Sequence, residues 1–330
     1  MNYGLPYQGS KNRIAKRLVD ALPPAPVLYD VFCGGCAVTH AAMLSGKYQH
    51  FVVNDLRGWL PVAFQKAIHG GYAHEDRWIS REDFKRLKST DAYTALCFSF
   101  GNNARTYMYV RGLEPYKRAL HHAIFWKDFA PWRELCPETA DALAAGLAPI
   151  EDRKQRRVQA GHFIVESLKQ QLSAGTLSPD ILEKPIYRQI RRPKAMSNSL
   201  QSLKSLERLQ SLESLERLQS LESLESLPDT LTARGGDYRE LCFDEPGIIY
   251  CDPPYMSVYA KGKDYGCEFD AESFYSWCEH QANPVFISEY TMPEDRFVPV
   301  AAFTVTRKMD TKKSSICHEK IWRPRCQLDI

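Results

Sequence analysis

The sequence predicts an α/β fold with a mostly helical insert, and three observations lead to this prediction. The first 56 residues have the pattern strand, glycine turn, helix and strand, which is one βαβ unit of a parallel sheet. From about Leu56 to Lys194 the pattern becomes mostly helical and more polar. From Gly235 the alternation of strands and helices returns. We therefore expect one sheet domain built from both ends of the chain, with a second domain inserted between them.

The elements of the sheet domain follow from apolar periodicity and from the prolines and glycines that interrupt it. In chain order, the first half has a helix at 11–22 closed by Pro23 and Pro24, a strand at 27–32, a turn at Gly34-Gly35, a helix at 37–44 and a strand at 51–53 ending at Asn54-Asp55. The second half has a buried strand at 247–251 ending at Asp252, an amphipathic helix at 274–280, a strand at 284–288, and an antiparallel pair at 303–305 and 319–322.

Domain boundaries follow from the same changes in pattern. We expect the sheet domain to comprise residues 1–56 and 233–330 and the inserted domain to comprise residues 57–195. Residues 196–232 are rich in Leu, Ser and Glu, with a leucine at every third position from 200 to 227. On an α-helix each step of three falls about 60° short of a turn, so these leucines wind around the axis. We interpret this segment as a repeat expansion between the domains that carries no chemistry, with a short solenoid-like or helical insert as the alternative form of the linker.

Composition excludes several classes of protein. With 330 residues, 44% hydrophobic and 12% aromatic, the chain is too apolar for a disordered or fibrous protein. No run approaches the roughly 18 apolar residues of a membrane helix, and no signal-peptide pattern opens the chain, so we expect a cytoplasmic protein. The formal net charge of +3 neither demands nor excludes nucleic acid as a partner.

The cysteines do not indicate a metal site. Ten cysteines are scattered through the chain, and Cys33 and Cys36 form its one C-x-x-C pair. A zinc site needs a second Cys or His pair at ligand spacing, and the sequence has none, so we expect no metal and reduced thiols. A redox dithiol at Cys33 and Cys36 is the alternative.

Acids and glycines cluster where the predicted strands end, which is where ligands bind in doubly wound sheets. Gly34 and Gly35 follow the first strand and allow backbone to approach a ligand, although the turn lacks the G-x-G-x-x-G pattern of dinucleotide sites. Asp55 ends the next strand, and a carboxylate there suits the two hydroxyls of a ribose. Each feature taken alone is also common in ordinary loops.

The segment Asp252-Pro253-Pro254-Tyr255 points to an amino group as the reacting atom. The prolines lack N–H donors, which leaves a carboxylate and backbone carbonyls as acceptors beside an aromatic ring. When acceptors bind both hydrogens of an amine on a heteroaromatic ring, the lone pair of the nitrogen is drawn towards a nucleophilic geometry. The tyrosine stacks on the ring. A strand-terminating turn is the alternative interpretation.

Five motifs in this order resemble those of the Dam-type DNA adenine-N6 methyltransferases, the D12 class of the alpha group of amino-methyltransferases. The motifs are Tyr7-Gln8-Gly9-Ser10-Lys11, Asp30-Val31-Phe32-Cys33-Gly34-Gly35, Asn54-Asp55, Gly236-Asp237-Tyr238-Arg239 and Asp252-Pro253-Pro254-Tyr255. The resemblance covers about residues 1–56 and 233–324. It implies a Rossmann-like S-adenosylmethionine-dependent methyltransferase sheet with an inserted, mostly helical target-recognition domain.

The resemblance also implies roles for individual residues. The residues that match the family's S-adenosylmethionine-binding positions are Tyr7, Lys11, Asp30, Phe32, Gly34, Gly35, Asp55 for the ribose and Asp237 for the cofactor's adenine. The catalytic element maps onto Asp252, Pro253, Pro254 and Tyr255, which would bind an adenine flipped out of duplex DNA. Residues 98–103 with Tyr107 resemble the head of the inserted domain, so we expect Asn102, Asn103 and Tyr107 to contact DNA.

Basic residues near the end of the insert are the candidates for binding the DNA backbone. Arg188, Arg191 and Arg192 either meet phosphates or form a solvated helix face. We expect double-stranded DNA as the partner, no membrane, a monomer or weak dimer, and a bacterial or phage source. Methylation of cytosine N4 or of a protein glutamine, or a non-catalytic DNA-binding relative, are the alternatives, and a restriction endonuclease partner is left open.

Overall fold

The computed structural model describes residues 2–109, 111, 114–173, 209–224, 230–254, 269–310 and 313–328. The chain divides into two compact units, and we name each by its dominant structure. The sheet unit comprises Met1–Tyr72 and Leu218–Ile330, and the helical unit comprises Ala73–Arg217. The helical unit therefore begins later than the insert expected at residue 57, because the helix that follows residue 57 packs against two strands of the sheet.

A seven-stranded mixed sheet forms the framework of the sheet unit. Its strands are β1 Val27–Asp30, β2 His50–Asp55, β3 Leu231–Gly235, β4 Gly247–Cys251, β5 Val285–Glu289, β6 Phe297–Asp310 and β7 Lys313–Pro324. The spatial order is β3-β2-β1-β4-β5-β7-β6. The first five of these strands are mutually parallel, and β7 is antiparallel to both of its neighbours. This sheet confirms the predicted Rossmann-like α/β fold.

Helices account for most of the remaining described residues. In chain order they are α1 Ala15–Ala21, α2 Ala37–Met43, α3 Trp59–Ile68, α4 Arg81–Leu87, α5 Ala92–Cys97, α6 Glu114–Trp126, α7 Ala130–Leu135, α8 Pro137–Leu147, α9 Arg153–Ser173, α10 Gln210–Gln219 and α11 Ala271–Glu279. Local chemistry explains several ends: α1 stops before Pro23, and Asp270 caps α11 by accepting from the backbone N–H of Glu272 and Ser273. No described helix has the length and apolarity needed to cross a membrane.

The order of the parallel strands reverses at β1, which pairs with β2 on one side and β4 on the other. Asp30 at the end of β1 is level with Val53 of β2 and Tyr250 of β4. The carboxyl ends of all three strands therefore meet at the same edge of the sheet. In open α/β sheets this switch point is where ligands bind.

The central strands of the sheet unit are continuous apolar runs in the sequence because they lie in the core of the unit. Every residue of β1, β4 and β5 is buried, as expected for parallel strands covered on both faces. Phe274 of α11 and Trp322 of β7 are among the fully buried side chains packed against them. Burial of this apolar surface is the main favourable contribution to the stability of the unit.

The leucine repeat is part of the packed structure. The sequence leaves a helical insert open as one form of the segment between the domains, and the described part forms α10, with Leu209 and Leu212 in the core of the helical unit. Leu215 is also buried. Because the leucines wind around the axis, α10 buries several sides, and no residue from Leu209 to Gln219 is fully exposed.

Candidate active site

The opening motif packs directly onto the glycine turn that follows β1. The backbone N–H of Leu5 donates to the Gly35 carbonyl at 2.7 Å, and the N–H of Gly4 donates to His40 Nδ1 at 2.9 Å. Gly4 has a φ of +65°, and a Cβ there would clash with the Gly35 carbonyl oxygen. The chain can approach the turn this closely only with glycine at position 4.

Asp55 holds the glycine turn in place. Its Oδ2 accepts from the backbone N–H of Gly34 at 3.0 Å, and its Oδ1 accepts from the N–H of Arg57 at 2.9 Å. Gly34 has a φ of +48°, in the left-handed region that favours glycine. Burial raises the pKa of Asp55, and the two backbone donors partly offset this effect. Asp55 therefore joins the end of β2 to the turn after β1.

Tyr7 and Arg57 lie against the same turn. Arg57 donates from its guanidinium to the Tyr7 hydroxyl at 2.6 Å. The Tyr7 ring lies against Gly34, and a Cβ at Gly35 would meet Tyr7 Cβ at 3.0 Å and the Leu5 carbonyl oxygen at 3.1 Å. The sequence motifs did not indicate Arg57. The one signal in the sequence is that Arg57 lies two residues after Asp55, the acid at the end of a strand.

The two carboxylate oxygens of Asp30 lie in different environments. The hydroxyl of Thr39 donates to Asp30 Oδ2 at 2.6 Å, whereas Oδ1 is buried without a hydrogen-bond partner among the described residues. Burial raises the pKa of this carboxyl to about 7, and the nearby charges of Asp252 and Asp55 act in the same direction. A buried acceptor of this kind is available to a donor from a ligand.

Lys11 brings two carboxylates together beyond the end of β4. Its Nζ lies 2.8 Å from Asp252 Oδ1 and 2.7 Å from Glu319 Oε1. Lys11 and Glu319 are buried, and the Asp252 side chain is 19% exposed. Burial lowers the pKa of Lys11, but the two carboxylates outweigh it and the net shift is upward, so the ammonium form is favoured.

The environment of Asp252 shifts its own titration. Burial raises its pKa to about 6; Lys11 opposes the shift, and Glu319 adds to it. The cluster thus places the Lys11 ammonium between the carboxyl groups of Asp252 and Glu319. Asp252 follows the fully buried β4, and Pro253 behind it is buried while Pro254 is half-buried. Tyr255 lies outside the described residues.

Phe32 faces an aromatic cluster on the other side of the glycine turn. Its ring centroid lies 5.2 Å from that of Tyr238 and 5.7 Å from that of Phe274. Asp237, the predicted adenine contact, accepts from the backbone N–H of Arg239 and forms an ion pair with its guanidinium. The hydrogen bonds from Arg239 lower the pKa of Asp237. Asp237 is therefore next to the site, but its carboxylate is bound to Arg239.

Two of the residues predicted to contact DNA make internal contacts in the helical unit. The side-chain amide of Asn102 donates to the Leu96 carbonyl at 2.5 Å and to Ser214 Oγ at 2.9 Å. Tyr107 is buried, and its hydroxyl donates to the Ile79 carbonyl at 2.8 Å. The Asn102 amide and the Tyr107 hydroxyl are therefore engaged in hydrogen bonds that stabilise their own turn.

The remaining residues predicted to contact DNA are Asn103 and three arginines. Asn103 is half-buried, and its Oδ1 accepts from the backbone N–H of Arg105 at 3.0 Å. Arg188, Arg191 and Arg192 lie outside the described residues.

The cysteines of the C-x-x-C pair lie inside the turn after β1. Cys33 and Cys36 are free and buried, and burial raises the pKa of both thiols, which disfavours the reactive thiolate. Among the described residues there is also no group of three or more His, Cys, Asp or Glu that could hold a metal ion.

The sheet has a Rossmann-like methyltransferase fold, and the buried Asp30 lies at its switch point. Residues 7–128 match the family of D12 class N6 adenine-specific DNA methyltransferases. This match confirms the resemblance to Dam-type enzymes and supports DNA adenine methylation as the general activity. The matched segment includes Tyr7, Lys11, Asp30 and Asp55, and it ends before Asp252. No curated protein matches the chain significantly.

Proposed function

We propose that the protein transfers a methyl group from S-adenosylmethionine to the N6 amino group of an adenine flipped out of duplex DNA. The observation that carries the proposal is the position of Asp252 beside the end of β1, where Lys11 binds one of its oxygens at 2.8 Å. The other oxygen of a carboxylate held in this way can accept a hydrogen bond from an amino group. The family match supports adenine in DNA as the bearer of that group.

The residues at the ends of β1 and β2 fit the proposed cofactor. The unbound Oδ1 of Asp30 suits an N–H donor of the cofactor's amino-acid part. Asp55 accepts one backbone hydrogen bond on each oxygen, which leaves lone pairs for ribose hydroxyls. Gly34 and Gly35 allow close approach, and Phe32 offers a ring face. When bound, the cofactor supplies a methyl group on a positively charged sulfur.

Tyr7 would support the cofactor site by packing on the glycine turn, and Lys11 would support it by joining the opening motif to Asp252. Asp237 accepts hydrogen bonds from Arg239 on both oxygens, and Oδ2 keeps a lone pair that can accept from the amino group of the cofactor's adenine.

The protein's own residues would act on the target base. Asp252 and the Pro253 carbonyl accept from the two hydrogens of the amine, and this draws its lone pair out of conjugation. Tyr255 stacks on the base. The adenine has to leave the helix, because its amino group cannot reach a methyl donor while it is paired and stacked. Holding two reactants in line then lowers the entropic part of the barrier.

Replacement of Asp252 by asparagine tests the proposal. Asp252→Asn keeps the shape but loses the charge, so we expect methyl transfer to fall by roughly 10²-fold or more. Affinity for S-adenosylmethionine should stay within about tenfold, because other residues hold the cofactor. The measurements are transfer of a labelled methyl group to DNA and equilibrium binding of the cofactor.

A matched control is Glu279→Gln, which removes a charge from an ion pair with Arg296 and should leave both measurements unchanged. Full methyl transfer by Asp252→Asn would contradict the assignment. Digestion of the labelled product identifies the modified atom: N6-methyladenine supports the proposal, whereas N4-methylcytosine or methylated protein would favour the alternative substrates. No transfer to any of these by the native protein would favour a non-catalytic DNA-binding relative.

A further inference from the structure

Glu319 lies on β7, outside the motifs that resemble the family, yet its carboxylate contacts the same ammonium as Asp252. We propose that Glu319 is a positioning residue for Asp252 that acts through Lys11. By sharing the Lys11 ammonium, Glu319 keeps one oxygen of Asp252 available for the substrate amine. The proposal rests on the proposed function, since it assumes that Asp252 binds that amine.

Glu319 is anchored to a neighbouring strand of the sheet as well as to Lys11. The Ser288 hydroxyl donates to Glu319 Oε1 at 2.7 Å, and the same oxygen lies 2.7 Å from Lys11 Nζ. Ser288 belongs to β5 and Glu319 to β7, and these two strands are paired in the sheet. Lys11 precedes α1, and its long side chain carries the ammonium to the two carboxylates. A carboxylate that is anchored to two strands can therefore set the position of the ammonium.

The charges in the cluster explain what the sharing does. An ammonium has three N–H donors, and those of Lys11 serve both Asp252 and Glu319. If Asp252 were the only carboxylate beside Lys11, the buried ammonium would interact with Asp252 alone. That interaction would be strong, because charges away from water are weakly screened. Asp252 would then be a poorer acceptor for the amine. Because Glu319 also binds the ammonium, Lys11 interacts less strongly with Asp252.

Among the described residues, two further titratable groups act on Asp252. Asp30 of β1 and Tyr250 of β4 both interact electrostatically with it. They remain in place when Glu319 changes. Loss of the Glu319 charge should therefore lower the pKa of Asp252, since a negative charge that opposed its ionisation is gone while Lys11 remains.

The variants Glu319→Gln and Ser288→Ala test the proposal, with Glu279→Gln as the matched control. The measurements are single-turnover methyl transfer from pH 5 to pH 9, affinity for S-adenosylmethionine, and the thermal midpoint. We expect Glu319→Gln to slow the plateau rate by about tenfold or more while cofactor affinity changes less than about threefold. The acid limb of its profile should move to lower pH by roughly half a unit or more.

Ser288→Ala keeps the Glu319 charge but removes its anchor, so it should slow transfer in the same direction by a smaller factor. Glu279→Gln should match the native protein. A purely structural role for Glu319 predicts a lower thermal midpoint with an unmoved acid limb, and that result would overturn the proposal. If Glu319→Gln does not fold, Ser288→Ala decides: a native plateau rate in that variant would overturn the proposal.

A second readout separates this proposal from the proposed function. Carboxyl-¹³C labelling of aspartate, with Asp252→Asn to identify the signal, gives the Asp252 titration without any substrate. A lower titration midpoint in Glu319→Gln than in the native protein supports the coupling through Lys11, and an unchanged midpoint refutes it. Absence of DNA methylation by the native protein would refute the proposed function and leave this titration as the test of the coupling.

Discussion

Asp30 has two oxygens in different environments, and this difference has consequences for stability. Oδ2 accepts from Thr39, whereas Oδ1 is buried without a partner among the described residues. An aspartate in an unfolded chain titrates near 3.9, but burial raises the pKa of Asp30 to about 7. Between these pH values the folded protein holds a proton that the unfolded chain has released.

We therefore predict that Asp30 destabilises the cofactor-free protein as the pH rises from about 4 to about 7, by up to about 1.4 kcal/mol per pH unit. Asp30→Asn removes this titration. Its free energy of unfolding relative to the native protein should increase with pH up to about 7 and stay level above it. Urea denaturation at several pH values measures the difference.

The control is Asp20→Asn, which changes an exposed carboxylate paired with Lys16. It should alter stability by less than about 0.5 kcal/mol. Parallel stability curves for Asp30→Asn and the native protein would show that Asp30 does not titrate in this range.

Asp55 combines a structural and a proposed cofactor role. We predict that Asp55→Ala weakens binding of S-adenosylmethionine by about 1.5–3 kcal/mol, since it removes the charged acceptor of a hydrogen bond donated by a ribose hydroxyl. Isothermal titration measures the affinity, and Asp20→Asn should bind the cofactor normally. Unchanged affinity in Asp55→Ala would leave Asp55 with only the anchoring of the glycine turn.

At the scale of secondary structure elements, the leucine repeat shows how a three-residue period can be accommodated in a fold. Its leucines cannot form one face of a helix, so a helix built from them needs apolar neighbours on several sides. The helical unit provides them: Leu212 packs in its core, and Ser211 and Ser214 make hydrogen bonds to Tyr109 and Asn102. The repeat is therefore a structural helix in the residues that are described.

We predict that Leu215→Ala lowers the free energy of unfolding by about 2–5 kcal/mol, because it opens a cavity around a buried side chain. The DNA sequence that is methylated should stay the same. Glu222→Ala, an exposed change in the same segment, should cost less than about 0.5 kcal/mol. Equal stability of the two variants would mean that the helix is not packed as described, and an altered methylation sequence would indicate that it reads DNA.

For the whole molecule, the distribution of basic residues determines how DNA can be held. At the start of α9, Arg157 forms ion pairs with Glu213 and Glu216, and the Arg153 guanidinium lies over the Phe125 ring at 4.7 Å. These residues stabilise the helical unit. The prediction of phosphate contacts therefore rests on the cluster at residues 188–192, which lies outside the described residues.

We predict that replacing Arg191 and Arg192 by alanine weakens binding to all duplexes alike. The slope of log affinity against log salt should become shallower by about 0.9 for each phosphate that the variant no longer neutralises. Binding to cognate and scrambled duplexes across salt concentrations measures both effects. Arg157→Ala is the control, and it should lower stability while the slope is kept.

An unchanged slope in the double variant would assign these arginines to a solvated face. A weakening confined to the cognate duplex would identify them as residues that read bases, where one bidentate pair of hydrogen bonds is worth about 1–3 kcal/mol.

Much of the sheet can be predicted from the sequence because its central strands are buried on both faces and are therefore continuously apolar. The apolar runs predict the strands at 27–30, 247–251 and 285–289 nearly to the residue. They do not predict β3, because its polar sequence Leu-Thr-Ala-Arg-Gly is that of an edge strand half open to water. The assignment of α3 to the sheet unit also escapes prediction, since its apolar face does not reveal which unit it packs against.

Local sequence patterns are sufficient to locate the strand ends and the order of the motifs, and parallel pairing brings such ends to one edge. Which side chains meet at that edge depends on tertiary structure. Lys11 and Glu319 lie more than 300 positions apart, and only the pairing of β7 with β5 places Glu319 beside Lys11. Tertiary packing also buries the Tyr107 hydroxyl and leaves Asp30 Oδ1 without a donor among the described residues. These contacts depend on side-chain packing between distant segments, which local periodicity does not encode.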